Sequence, residues 1–167
     1  MASESSNGRM IVVAVDQSEE SLHALTWCLR NVVGKSNGDD ENTKDTLVLL
    51  YAQPPRTVYP SIDGTGYLFS SDVTVSMDRY AKEMADGVTA RARAVCSNNP
   101  RVKVETRIEV GDPRDVICEV VEKLGADMLV MGSHGYGLIK RTFLGSVSNH
   151  CAQKAKCPVL IVKRPKQ

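Results

Sequence analysis

The sequence has almost no net charge and no long apolar run. Its 167 residues carry 21 lysines and arginines against 20 aspartates and glutamates, a formal net charge of +1. Because no basic cluster occurs, the chain lacks the electrostatic basis for binding nucleic acid. A run of about 18 apolar residues is also missing, so no segment is predicted to span a membrane. We expect neither nucleic acid nor a membrane as a partner.

Patterns of zinc ligands and disulfides are missing as well. The five cysteines are Cys28, Cys96, Cys118, Cys151 and Cys157. Their number is odd, and no two of them form a Cys-x-x-Cys pair. The simplest interpretation is reduced, mostly buried thiols in a cytosolic protein, and a redox switch is the alternative. The three histidines form no ligand set, and no metal site is predicted.

Export signals are missing from the N-terminus. Residues 1–9 are small and polar, without the basic and then apolar layout of a signal peptide, and Ala2 excludes N-myristoylation. We expect a cytoplasmic protein, with the nucleus as a further compartment. The length favours one domain. We predict a disordered segment over 1–9, a folded domain over 10–164 and a tail over 165–167.

Five segments of strand character alternate with four of helical character. The predicted strands cover residues 10–15, 47–52, 102–108, 128–131 and 159–162. The predicted helices follow Ser18, cover about 72–97, begin at Pro113 and run from about 145 to 156. Such alternation predicts an α/β fold, with a doubly wound, mainly parallel sheet and helices on both faces.

Burial patterns refine this prediction. Residues 10–15 form a continuous apolar run typical of a strand buried on both faces, whereas apolar and charged residues alternate over 102–108, as in an edge strand. Residues 36–45 are predicted to be a solvated loop, and 56–71 either disordered or a cover over a site. The inward face of the second helix is predicted to comprise Met77, Tyr80, Ala81, Met84, Val88 and Val95.

A spaced glycine motif follows the fourth strand. Gly132 and Gly135 are separated by two residues, and nine more residues lead to Gly145-Ser146 at the start of the last helix. Glycine at a strand end lets backbone approach a ligand closely, and a helix N-terminus offers N–H groups to phosphate. A plain glycine-rich connection between strand and helix is the alternative.

Other phosphate-binding signatures are not present. The motif lacks the Gly-Lys-Ser/Thr of a Walker A loop and the Gly-x-Gly-x-x-Gly of the Rossmann fingerprint. Asp16 ends the first strand, and ligands of doubly wound sheets lie beyond strand ends where the strand order reverses. Asp16 and Gly132 would share such a crevice if the first and fourth strands are neighbours. Alternatively, Asp16 is a turn or capping residue.

At these residues the chain resembles universal stress proteins of the plant single-domain kind. The similarity runs from about residue 9 to 164, and its landmarks are Val13-Ala14-Val15-Asp16-Gln17-Ser18, Gly111-Asp112-Pro113, Val130-Met131-Gly132-Ser133-His134-Gly135, Gly145-Ser146-Val147-Ser148 and Cys157-Pro158-Val159. The resemblance implies a five-stranded sheet in the order 3-2-1-4-5. It also implies the ATP-binding branch of the family, since the other branch lacks these glycines.

The resemblance also assigns positions to a nucleotide. Adenine and ribose would lie against Ala14, Val15, Asp16, Ala52, Met131 and Gly132, and the phosphates against Gly135, Gly145, Ser146, Val147 and Ser148. ATP is the expected ligand, with ADP or AMP as alternatives and Mg²⁺ as a companion of ATP. His134, Lys140 and Arg141 are further candidates for phosphate contacts, and ordinary surface roles are the alternative for each.

Three functions follow as hypotheses. The first is an ATP-binding regulatory protein of the stress response, and the second is an enzyme, either a slow ATPase or a nucleotidyl transferase. Phosphoryl transfer needs metal ligands, a charge clamp and a positioned nucleophile, whereas no second carboxylate or base can be placed beside Asp16. The third is a redox-dependent chaperone, which rests on the unpaired thiols alone.

A partner surface is predicted at the last strand. Val159, Leu160, Ile161 and Val162 are apolar towards both faces, yet the implied order places them at a sheet edge. A bare apolar edge favours pairing with another chain. We expect a two-fold homodimer through this strand, together with unidentified protein partners.

Overall fold

The computed structural model describes residues 8–34, 44–55, 70–135 and 144–165. Along these residues strands and helices alternate: β1 (Met10–Ala14), α1 (Glu19–Asn31), β2 (Asp45–Gln53), α2 (Ser70–Cys96), β3 (Val102–Val110), α3 (Pro113–Leu124), β4 (Met128–Gly132), α4 (Ser146–Lys154) and β5 (Val159–Val162). No helix within the described ranges is both long and apolar enough to cross a membrane. Most of the predicted loop 56–71, and loop residues 36–43, lie outside these ranges.

The five strands form one parallel sheet in the order β3-β2-β1-β4-β5. This confirms the implied order and the edge position of the third strand. β1 lies at the centre, where Val12 and Val13 have no solvent exposure, as its unbroken apolar run predicts. The order reverses between β1 and β4, so the chain segments that leave their carboxyl ends run to helices on opposite faces of the sheet and leave a natural ligand crevice between them.

Two apolar cores cover the two faces of the sheet. Val13 packs in the core that α1 and α2 complete, and the neighbouring Val12 packs in the core that α3 and α4 complete. Successive strand residues point to opposite faces, so a strand serves both cores only if every residue is apolar. The double winding predicted from the sequence is therefore confirmed.

Helix ends follow local signals in the sequence. The Ser18 hydroxyl accepts a hydrogen bond from the Ser21 N–H at 3.2 Å and caps α1. Asp112 caps α3 in the same way, accepting from the Arg114 N–H at 2.9 Å. Gly125 ends α3 at φ +59°, a left-handed conformation that glycine adopts without steric cost. These caps fix where each helix begins or ends.

The inward face of α2 differs from the prediction. Met77 and Tyr80 are 43% and 65% exposed, so their assignment to the buried face is wrong, whereas Val88 is buried as predicted. The reason is length. The 27 residues of α2 extend about 40 Å, but the nine residues of β2 extend only about 30 Å. The first turns of α2 therefore project past the part of the sheet that buries the rest.

Asp45 is a second difference. We expected it in a solvated loop, but it begins β2 and is 4% exposed. Its Oδ2 accepts hydrogen bonds from the Arg9 guanidinium at 2.8 Å and from the Gly34 N–H at 3.1 Å. Arg9 also donates to the Val32 carbonyl at 2.8 Å. One carboxylate thus joins the residues before β1, the end of α1 and the start of β2.

These contacts bear on the N-terminal segment. Residues 1–7 lie outside the described ranges, so disorder over 1–9 stays a prediction there. Gly8 is close-packed, because a Cβ at this position would lie 2.1 Å from the Lys44 carbonyl oxygen. Arg9 is held by Asp45.

Candidate functional site

A crevice of about 380 Å³ opens at the carboxyl ends of β1 and β4. Its volume lies in the range of small-molecule sites, about 300–1,000 Å³. The structure brings the eleven residues assigned to the nucleotide to this one crevice: Ala14, Val15, Asp16, Ala52, Met131, Gly132, Gly135, Gly145, Ser146, Val147 and Ser148. The sequence motif and the sheet topology therefore converge on the same place.

Asp16 lies just beyond β1, and its carboxylate is oriented by the turn into α1. Its Oδ1 accepts hydrogen bonds from the Ser18 N–H, at 2.8 Å, and from the Ser18 hydroxyl. The Asp16 N–H donates to Ser21 Oγ at 3.1 Å. The turn role that we considered as an alternative is thus real. It does not exclude a role in binding, because Asp16 also lines the crevice.

Gly132 ends β4 against the first turn of α1. A Cβ at this position would lie 3.0 Å from the backbone carbon and oxygen of Glu20. Real Cβ atoms rarely approach backbone this closely, so a larger residue would push α1 away from the sheet. The glycine lets the start of α1 close the crevice on that side.

The start of α4 forms the opposite wall. Gly145 is the N-cap and provides no side-chain hydrogen bond, and the first turn holds no acidic residue. The Gly145 N–H donates to the Ser133 carbonyl at 2.7 Å, which ties the helix start to the end of β4. The N–H groups of the first helical residues have no acceptor within the helix and carry the positive end of its dipole. This wall suits an anion.

The two serines of this turn differ in their surroundings. Ser148 is 3% exposed, and its hydroxyl donates to the carbonyl oxygens of Ser133 and Gly145 at 2.8 and 3.1 Å. That hydroxyl ties the loop to the helix. The group of Ser148 that can contact a ligand is then its backbone N–H. Ser146 is exposed at the first helical position. Its hydroxyl is accessible to an anion at the helix start.

Several lining residues were not assigned from the sequence: Gln17, Ser18, Ser21, Tyr51, Pro54 and Pro113. Pro54 follows the end of β2 and Pro113 the end of β3, so the strand-end rule that found Asp16 would also have found them. His134 lines the crevice too, and its Nδ1 lies 3.1 Å from the Ser133 hydroxyl.

Tyr51 places a phenol in the wall near Asp16. Its side chain is buried, with 4% exposure. Burial raises the pKa of Tyr51, the nearby Asp16 charge raises it further, and a hydrogen bond with Gln17 opposes the shift. The phenol therefore stays neutral at physiological pH and offers a hydroxyl beside the carboxylate.

The electrostatics of the crevice divide it into two ends. Among the described residues that line it, Asp16 carries the one carboxylate and no lysine or arginine is present. The described ranges also hold no cluster of three or more side chains suited to a metal ion. Lys140 and Arg141 lie outside the described residues. An anion is therefore attracted at the start of α4 and repelled at Asp16.

Comparison with known proteins gives the family. A "Universal stress protein A-like protein" of Arabidopsis thaliana is 46% identical over 63 residues, 38% of this chain and 36% of that protein. A solved universal stress protein family protein of Arabidopsis thaliana, with AMP bound, is 26% identical and has a TM-score of 0.63. The match covers 94% of this chain and 92% of the solved chain. A universal stress protein in complex with cAMP is also 26% identical, with a TM-score of 0.53 and coverages of 92% and 96%. Residues 8–163 match the universal stress protein family, to which this chain belongs, and the Arabidopsis relatives support the plant type.

Proposed function

We propose that this protein binds an adenine nucleotide, with ATP as the expected ligand, and acts as a regulatory protein of the stress response. One observation carries the proposal. The crevice at the reversal of strand order joins a buried apolar end near Asp16 to an unblocked helix N-terminus at Ser146. A nucleotide likewise joins an apolar base and a hydroxylated sugar to an anionic phosphate tail.

The two ends of the crevice set the orientation of the ligand. The Asp16 carboxylate repels phosphate but accepts hydrogen bonds from ribose hydroxyls. The base then lies against Ala14, Ala52 and Met131, which are apolar and line the same crevice. The phosphates reach the N–H groups of Ser146 to Ser148, where the helix dipole stabilises negative charge.

The AMP and cAMP bound by structural neighbours support an adenine nucleotide as the ligand class. A longer phosphate chain gains additional contact with the start of α4, which favours ATP over AMP. The described residues of the crevice supply no cation to clamp a transferring phosphoryl group. This composition supports a binding role more than catalysis.

The test begins with nucleotide analysis. The protein is purified natively and denatured, any released nucleotide is identified, and ATP, ADP and AMP are titrated by calorimetry. We expect binding of all three, tightest for ATP. If none of them binds at millimolar concentration, the glycine motif is a structural turn and the proposal fails.

A matched pair at the start of α4 tests the phosphate end. Ser146→Glu adds a negative charge and Ser146→Gln adds the same volume without charge. A glutamate in the first turn stabilises the helix by about 0.3–1 kcal/mol, while opposing phosphate by an energy of similar size, about twofold to fivefold in Kd. Weaker ATP binding in the glutamate variant, at undiminished stability, supports the orientation. Equal affinities in the two variants refute it.

A further inference from the structure

Two thiols from different helices are in contact on one face of the sheet. The Sγ atoms of Cys118, on α3, and Cys151, on α4, lie 4.0 Å apart. Cys151 is fully buried, whereas Cys118 is half-buried. We propose that Cys118 and Cys151 form a redox-reactive pair that closes to an intramolecular disulfide when a hydroperoxide oxidises the protein.

The two sulfur atoms are in van der Waals contact. A disulfide has a sulfur–sulfur distance of about 2.0 Å, so the two atoms must approach by about 2 Å. The two residues lie on helices that pack against the same core, in which Cys151 is a buried member and Cys118 packs at its edge. Closing the gap requires rotation of the two side chains together with a shift of either helix.

The different exposure of the two sulfurs sets the order of reaction. Cys118, the less buried of the two residues, is the one that a peroxide in solution reaches more readily. Burial raises the pKa of Cys151 to about 12, and the neighbouring Cys118 raises it too, so Cys151 is a poor first nucleophile. Cys118 therefore reacts first, and Cys151 resolves the product.

The chemistry balances with hydrogen peroxide as the oxidant. The Cys118 thiolate attacks one peroxide oxygen, so an S–O bond forms, the O–O bond breaks and hydroxide leaves. The sulfur is oxidised by two electrons to sulfenic acid. The Cys151 sulfur then attacks the Cys118 sulfur, the S–S bond forms and the S–O bond breaks. Both thiol protons end in water, so two thiols and one peroxide give one disulfide and two waters.

The remaining cysteines differ from this pair. Cys28 and Cys96 are buried in the core on the opposite face of the sheet. Cys157 is half-buried like Cys118, but its thiol lies 3.5 Å from the Pro158 carbonyl oxygen. Cys157 packs against the same core as the pair and is close enough to Cys118 to feel its charge, so it is the competing partner that the test must distinguish.

The full-length protein is reduced, exposed to hydrogen peroxide, alkylated and digested without reductant. We expect a peptide pair linked through Cys118 and Cys151, in a monomer-sized chain lighter by two hydrogen atoms. If Cys118 accumulates as sulfenic or sulfinic acid while Cys151 stays alkylatable, the proposal is overturned. Links to Cys157, or between chains, as the main product overturn it equally.

Variants make the assignment specific. Cys157→Ser should form the link at the wild-type rate, and loss of the link in that variant would contradict the pair. Cys151→Ala should leave Cys118 as a sulfenic acid that a dione reagent traps, provided that circular dichroism shows a folded chain. Cys118→Ser changes the less buried partner, and it should leave Cys151 reduced. Oxidation of Cys151 at an unchanged rate in this variant would refute the order of reaction.

Discussion

Asp16 and Gly135 meet across the crevice. A Cβ at residue 135 would lie only 2.9 Å from the Asp16 Oδ2 atom. Gly135, the second glycine of the motif, therefore leaves room for the Asp16 carboxylate. The turn from Asp16 to Ser18 orients this carboxylate. This contact links the end of β1 to the loop after β4, across the point where the strand order reverses.

Gly135→Ala should impair nucleotide binding without unfolding the protein. The added methyl group displaces the Asp16 carboxylate, which is the far end of a side chain and can yield at little cost in stability. We expect a several-fold rise in the Kd for ATP, measured by calorimetry. Gly87→Ala is the control: a Cβ there meets no atom within 4 Å, and the helix should gain about 0.5–1 kcal/mol. Unchanged affinity in Gly135→Ala would contradict a role for Asp16 in binding.

Gly132→Ala should act on stability instead. Its Cβ would meet the Glu20 backbone at 3.0 Å, and backbone within a helix cannot yield locally as a side-chain tip does. We expect a loss of about 1–3 kcal/mol in the free energy of unfolding, measured by urea denaturation. A stability equal to that of Gly135→Ala would show that α1 is free to move outward.

The Arg9–Asp45 pair should make stability depend on pH. Burial by itself raises the pKa of Asp45, but hydrogen bonds from Arg9 and the Gly34 N–H outweigh it, and the net pKa is lowered. A lowered pKa in the folded state gives stability that is present above the unfolded value, about 3.9, and is lost as pH falls through the folded value. Denaturation curves from pH 7 to pH 2 should show this loss.

Asp45→Asn should remove that component. At pH 7 we expect a loss of about 1–3 kcal/mol, since the Arg9 guanidinium loses a charged acceptor in a partly buried site. The pH dependence below about pH 4 should also become shallower. Asp86→Asn, at an exposed position of α2, is the control. Identical acid titrations of wild type and Asp45→Asn would refute the role of this pair.

We propose a homodimer through β5, which is an edge strand of the sheet that the described strands form. Val159, Leu160 and Ile161 are only half-buried in the single chain, so pairing would cover them. Ile161→Lys should yield monomers by light scattering, because it places a charge in the paired edge. Val75→Lys, on a 59% exposed residue of α2, is the control and should stay dimeric. A dimer that survives Ile161→Lys would exclude this interface.

The elements were predictable because their signals are local, whereas the order of the strands in the sheet followed from the resemblance to universal stress proteins. Alternation over 102–108 marked an edge strand, and the unbroken apolar run of 10–15 marked a central one. Asp112 and Gly125 marked the ends of α3 through caps that involve only near neighbours. The location of the crevice followed too, because ligands of such sheets lie at strand ends, where the spaced glycines also fall.

By itself, then, the sequence determined which segments are strands and helices, which strands are buried and where a ligand would enter. The tertiary structure alone decided which face of α2 is covered, since this depends on the length of the sheet beneath it. It also decided the contacts of Asp45 with Arg9, 36 residues earlier, and of Cys118 with Cys151, 33 residues later. Local periodicity reports burial averaged over a turn or a strand. It holds no information on which two distant side chains meet, because that is fixed only when the elements pack.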